Sequence, residues 1–329
     1  MNVLIVGLGS MGKRRLRLLQ KEYPDYQICG VEFSEERRKA VDAEYSIRCF
    51  ASTEEALSSA TFNLGFVCTP PATHHEVIKT LLEHQINVFT EINLLNKGYD
   101  ELLEIAKEKR VKIFMSSTLL YRKEVQTITE LVKQQKQPLQ YTYHVGQYLP
   151  DWHPWESYKN FFVGNNETNG CREIFAIQLP WIFQCFGKSV SVPYVSRQKI
   201  SDLEITYPDS YLVALEHESG NRGIFVVDVV SRKATTSLEI VGENIHIIWD
   251  GKPEGLKVYN FESKDFESIS LYDSYEQNTN YAANIIEDAY LAEITCFINW
   301  IEGKQTPHYY LEDDAHTLEI IDKIEGKNA

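Results

Sequence analysis

Met1-Asn2-Val3-Leu4-Ile5-Val6-Gly7-Leu8-Gly9-Ser10-Met11-Gly12 opens the chain, and its reading decides the fold. A short apolar run is followed by glycines spaced Gly-x-Gly-x-x-Gly, then by a basic, helix-prone stretch from Lys13. This is strand, glycine turn and helix. Gly7 permits a tight turn, Gly9 lets the backbone approach a pyrophosphate, and Gly12 lets the helix pack closely on the strand. The helix start, Ser10 and Met11, offers unpaired N–H groups and a positive dipole end to phosphates. An acid stands about 20 residues on, Glu32, where a carboxylate accepts ribose hydroxyls. The combination points to a bound dinucleotide.

The bulk numbers agree with a globular protein of two domains. The 329 residues allow an ample core, and 43% hydrophobic with 24% charged residues is ordinary for such a chain. A net charge of −14 argues against nucleic acid or an anionic membrane as main partner. No apolar run reaches the roughly 18 residues of a membrane span. The N-terminal apolar run is too short for a signal peptide and is consumed as a strand, so a cytoplasmic location is expected. The six cysteines, at 29, 49, 68, 171, 185 and 296, include no CxxC pair and read as reduced thiols. No Cys/His spacing suggests zinc, and no metal is expected.

Strands are expected at 2–6, 26–32, 63–67, 87–90 and 111–115, with helices at 10–22, 35–43, 53–59, 73–84 and 98–109. Alternation of this kind implies a parallel, doubly wound sheet over residues 1–120. From 121 to 329 the pattern changes. A helix is expected at 122–135, strands at 139–147, 210–218, 223–230, 235–241 and 244–249, and helices at 282–302 and 311–324. Ser237–Gly242 alternates polar and apolar residues, as a half-exposed antiparallel strand does. The second domain therefore reads as α+β, with a large open, mostly antiparallel sheet. Such a sheet has a face to cover, and a homodimer or homotetramer through it is expected.

Glu32 repels a 2′-phosphate, which favours NAD. Arg37 close behind keeps NADP open, although a solvated helix face is its commoner reading. The strand at 63–67 runs into Cys68-Thr69-Pro70-Pro71-Ala72-Thr73-His74-His75-Glu76. The prolines stop the strand and set up a tight turn. Thr73 is then positioned to cap the next helix, with His74 in its first turn. In a doubly wound sheet this loop lies beside the glycine turn, so Cys68, Thr69, Pro70, Pro71 and His74 join the cofactor-side residues.

These elements together resemble the Gfo/Idh/MocA oxidoreductases: GLGSMG, the strand ending in Glu32, CTPPATHHE, the Glu91 region, and the helix start Leu311-Glu312-Asp313-Asp314-Ala315-His316. The resemblance covers essentially the whole length. It implies a Rossmann domain joined to an open-sheet α/β domain, and NAD(P)-dependent chemistry at a hydroxyl or ketone carbon of a sugar derivative. It also implies a cofactor-side role for Glu91.

The chain departs from that family's Glu-Lys-Pro. Thr90-Glu91-Ile92-Asn93 keeps the glutamate, but Ile92 stands at the lysine position and Asn93 at the proline position. A second family element carries His and Asp on a helix before Phe-Gly. Counting back from Phe186-Gly187 puts Ile177 and Pro180 at those positions. The usual proton relay is thus absent, and replacements are sought in the loop Gly146–Lys159. Its aromatic platforms with polar tips suit sugar rings; an aromatic crossover packed over the sheet is the plainer reading. Trp152, His153, Trp155, Tyr158 and Lys159 are the candidate substrate contacts, and His153, Tyr158 and Lys159 the candidate acid/base groups. The resemblance adds Arg172, as a clamp for a substrate phosphate or carboxylate, and Glu173 beside it. The leading reading is an NAD(P)-dependent oxidoreductase of a nucleotide sugar or related acidic sugar. A catalytically silent dinucleotide sensor, and an NAD-assisted epimerase or lyase without net redox change, are the alternatives.

Overall fold

The computed structural model describes residues 1–152, 156–276 and 285–327. The chain divides into two compact units, Met1–Ser117 with Tyr290–Ala315, and Thr118–Ala289 with the end of the chain from His316. The return of Tyr290–Ala315 to the first unit is not contained in the expected single boundary after residue 120.

The first unit runs β1 (Asn2–Val6), α1 (Ser10–Glu22), β2 (Gln27–Val31), α2 (Glu35–Tyr45), β3 (Arg48–Phe50), α3 (Thr53–Ser59), β4 (Leu64–Val67), α4 (His74–Glu83), β5 (Asn87–Thr90), α5 (Tyr99–Lys109) and β6 (Ile113–Met115). Its six strands are ordered β3-β2-β1-β4-β5-β6 and pair in parallel. This is the doubly wound order, with the switch point between β1 and β4. The sequence reading missed β3, because three residues are too few to carry a period. Phe66, Phe89 and Phe114 stack at 5.0 Å on adjacent strands. Phe297, from the later helix 287–301, meets all three rings at 5.6–5.7 Å. That contact returns a distant segment to the first unit.

The second unit contains α6 (Lys123–Lys133), β7 (Gln140–Gly146), α7 (Gly170–Phe186), β8 (Ser189–Gln198), β9 (Ser210–His217), β10 (Arg222–Asp228), β11 (Thr235–Gly242), β12 (Ile245–Trp249), β13 (Lys257–Asn260) and β14 (Asp265–Ser268). The chain closes with α8 (Glu287–Ile301) and α9 (Leu311–Glu325). α8 begins five residues later than the expected 282, and 282–284 lie outside the described residues. The eight strands are ordered β14-β13-β12-β11-β7-β10-β9-β8, antiparallel except for β7 against β10. Three of them escaped the sequence reading, the two edge strands β8 and β14 and β13 beside β14. β8 contains Pro193, which an edge strand with register shifts tolerates. β13 and β14 are short and polar.

β7 alternates as a half-covered strand does, with Tyr141 and Tyr143 buried and Gln140 and Thr142 exposed. α7 covers the buried face. Phe175 packs edge-on against Tyr211 and Phe225 at 5.4 Å, and Trp181 against Tyr143 at 5.2 Å. Asn169 caps α7 by accepting from Arg172 N at 2.8 Å. On the opposite face Tyr194, Leu212 and Ile224 stand exposed. Removing the ring that gathers the first unit, Phe297→Ala, is expected to cost about 3–5 kcal/mol. A urea titration would show this as a lower midpoint for the first unit's transition.

Candidate functional site

The site is built where β1 meets α1 and β4 ends. Gly7 has φ +91°, and a Cβ there would sit 2.7 Å from the Cys68 carbonyl oxygen. A Cβ on Gly12 would sit 1.9 Å from the Gly7 carbonyl oxygen. Both positions exclude any side chain, which is what presses turn, helix and loop together. At Gly9, by contrast, nothing lies within 4 Å of the Cβ position. Gly9 is also the N-cap of α1, and no side chain caps it. An open backbone at an uncapped helix start is a place for an anion.

Glu32 follows β2 and is buried. Its Oε1 accepts from Ser34 N at 3.1 Å and from Arg37 Nη2 at 2.8 Å, leaving Oε2 open among the described residues. Arg38 Nη1 holds the backbone, donating to the Glu32 and Phe33 carbonyls at 2.6 and 2.8 Å. The carboxylate is thus fixed with one oxygen available, as a ribose diol requires. Arg37 is turned onto Glu32, with its guanidinium 5.0 Å from the Phe33 ring centroid.

Beyond β4, Pro71–Thr73 form a tight helical turn before α4. The expected capping role of Thr73 is not met. Its hydroxyl donates back to Pro70 O at 2.8 Å and lies 2.9 Å from Thr69 Oγ1, so it braces its own turn. His74 is buried in the first turn of α4. Burial, and secondarily the Glu91 charge, pushes the Cys68 thiol well up.

Glu91, at the end of β5, accepts from Arg15 Nε at 2.6 Å. Arg15 also donates from Nη2 to Glu293 Oε2 at 2.7 Å. Glu293 Oε1 accepts from Ser117 N and Ser116 Oγ at 2.6 and 3.0 Å. Burial works against the charge on Arg15, but Glu91 and Glu293 outweigh it and raise its pKa. The sequence reading missed Arg15 and Glu293. One signal was available: Gly12, Arg15, Leu16 and Leu19 share the buried stripe of α1 at helical spacing.

The candidates in the second unit fall in different settings. Lys159 is exposed and paired with Glu204, which raises its pKa. A lysine held charged in this way is a poor base, which removes the motive for its catalytic assignment. Tyr158 Oη accepts from Glu204 N at 3.1 Å. Trp152 Nε1 donates to Gln147 O at 3.4 Å. His153 and Trp155 lie outside the described residues. Arg172 does not present an open clamp: its buried guanidinium donates to Asp322 Oδ1 at 2.7 Å and to Glu325 Oε2 at 2.5 Å. Glu173 differs from all of these. Among the described residues its buried Oε2 has no hydrogen-bond partner, and burial pushes its carboxyl up to about 8. Among the described residues, no three His, Cys, Asp or Glu side chains group as metal ligands.

The geometry of the first unit is that of a dinucleotide-binding domain. Residues 1–117 match the Gfo/Idh/MocA family model, described as an oxidoreductase family with an NAD-binding Rossmann fold. The match is confined to this domain, 117 of the chain's 329 residues, and supports NAD as the cofactor it binds. Human biliverdin reductase A is 27% identical over 134 residues, 37% of this chain and 44% of that protein, so the match spans less than half of the relative. Two solved structures share the fold over 99% of this chain and 93% of theirs, each at 15% identity. They are GenD2 from gentamicin A biosynthesis with NAD, TM-score 0.80, and the WlbA dehydrogenase of Chromobacterium violaceum with NADH and UDP-GlcNAcA, TM-score 0.79.

Removing the fixed carboxylate tests the ribose assignment. Glu32→Ala is expected to weaken NADH binding about 10- to 100-fold, the worth of one or two charged hydrogen bonds, and to leave NADPH binding little changed. Titration of nicotinamide fluorescence measures both.

Proposed function

We propose that the protein is an NAD-dependent oxidoreductase acting on a hydroxyl-bearing carbon of an anionic sugar derivative, a nucleotide sugar or sugar acid, with Glu173 as its proton-exchanging group. The open, uncapped start of α1 beside the fixed Glu32 carboxylate is the observation that carries the NAD-dependent reading. NAD, when bound, supplies the hydride acceptor. Oxidation of the carbinol to a ketone would pass a hydride to that acceptor and leave the hydroxyl proton for a base of the protein. Ile92, Ile177 and Pro180 have no group able to take that proton. Lys159 is held protonated by Glu204. Glu173 has the right chemistry: a shielded carboxyl oxygen without a hydrogen-bond partner among the described residues, and a carboxyl pushed up to about 8.

The nucleotide-sugar class draws support from the WlbA likeness in fold, and the sugar class in general from the aromatic loop 146–159. The uncovered sheet face supports a homo-oligomer. Val226, Leu212 and Ser196 lie in one register row, and Ile224, Ala214 and Tyr194 in the next, so its exposed apolar residues are contiguous. A second copy of this face would cover them, and Ile224→Glu is expected to lower the mass seen by light scattering.

The pH dependence has a definite sign. A base must be ionised, so sugar oxidation is expected to rise with pH through about 8 and then level off, while ketone reduction falls over the same range. Glu173→Gln should lower kcat about 100- to 10,000-fold and remove that titration. An unchanged pH–rate profile in the variant would reassign the proton transfer.

A further inference from the structure

A chain of buried polar side chains in the first unit takes no part in either role described so far. His74 Nε2 lies 2.7 Å from the Thr69 carbonyl oxygen, and its Nδ1 meets Asn93 Oδ1. Asn93 Nδ2 lies 2.7 Å from the Tyr99 hydroxyl, which lies 2.5 Å from Asp314 Oδ2. Asp314 Oδ1 accepts from Tyr309 Oη at 3.0 Å. The chain therefore links the β4–α4 loop, the end of β5, the start of α5 and the first turn of α9. All five side chains are buried.

The proton count is restrictive. Tyr99 has one hydroxyl hydrogen, and the Asn93 amide donates at one end and accepts at the other. With the amide oxygen on His74, both ring nitrogens face oxygen, so His74 is an imidazolium and Tyr99 donates to an ionised Asp314. With the amide turned over, Nδ2 donates to a neutral His74, Tyr99 donates to the amide oxygen, and a protonated Asp314 donates to Tyr99. The heavy-atom positions are the same for both. Each arrangement satisfies every link, and each holds one proton more than a neutral histidine plus a carboxylate. Without that proton, one link must set lone pair against lone pair. Burial lowers the His74 pKa, against the raising effects of Asn93, Thr69 and Glu91, which favours the second arrangement.

We propose that this chain shares one proton between His74 and Asp314, and that both are positioning residues which hold the β4–α4 loop in its cofactor-binding form. The coupling is short. The Thr69 carbonyl is the last acceptor of the chain, and Cys68 O and Thr69 N lie 2.7 and 2.9 Å from the Cβ position of Gly7. A loop that shifts therefore moves against the glycine turn. The charged or titratable groups facing His74 are Glu91 beyond β5, itself paired with Arg15 of α1, and, through the chain, Tyr99 of α5, Tyr309 and Asp314 of α9. Thr90 Oγ1 stands 3.4 Å from Nδ1. Since the holding form carries the proton, NADH affinity falls as pH rises above the pKa of the pair, by at most about tenfold per pH unit.

This rests on the NAD-binding role of the first unit, and two readouts separate the two claims. NADH fluorescence titrations over neutral to alkaline pH are expected to show the one-proton loss in the wild type. Asp314→Asn should flatten it, because the asparagine amide donates to Tyr99 as the protonated carboxyl does. A pH-independent wild type, or an Asp314→Asn variant with the wild-type slope, overturns the proposal. NMR of the His74 ring nitrogens and the Asp314 carboxyl reads the same proton without cofactor. One joint titration in the wild type, absent in Asp314→Asn, supports the proposal even if NADH fails to bind. No joint titration overturns it.

Discussion

One buried guanidinium organises the NAD-binding unit. Arg15 serves two carboxylates at once, Glu91 from the end of β5 and Glu293 from α8, and stacks over Phe89 at 4.5 Å. An unpaired charge at that depth would be strongly destabilising, so the three residues stand or fall together. The triad pins α1, the helix with the uncapped N-terminus, to the strand end that carries Glu91. It also fastens the segment that returns from far along the chain. Glycine and arginine thus act in concert: Gly7 and Gly12 let α1 approach β4's loop, and Arg15 keeps it there.

Ile92 cannot relay a proton, and Asn93 is a hydrogen-bonding link between His74 and Tyr99. In the second unit, two adjacent residues of α7 have opposite fates. Arg172 finds carboxylates on α9 and becomes a fastener. Glu173 finds none, and its carboxyl is left poised by burial alone. The difference between them is the availability of partners and not residue type.

Local rules made the first unit legible. The strand–Gly7–Gly9–Gly12–helix opening, the carboxylate closing β2 and the alternation of strands and helices all depend on neighbours in sequence. The half-exposed strands β7 and β11 carried their period of two. What was not legible depends on distance. β3 is too short for a pattern, and Pro193 disguises β8. Nothing near Phe297 announces that its ring meets β4, β5 and β6. Arg172 read as a substrate clamp because Asp322 and Glu325 lie 150 and 153 residues away. Arg15 read as one more basic residue in a basic helix, although its place on the apolar stripe marked it as buried.

The central claim is hydride transfer between a sugar carbon and NAD bound to the first unit. The most direct test uses nucleotide sugars and sugar acids deuterated at their carbinol carbons, incubated with the protein and NAD, with the nicotinamide examined by mass spectrometry. The account predicts deuterium at nicotinamide C4 with one anionic sugar class. Full NAD binding with no deuterium transfer from any of them would contradict it.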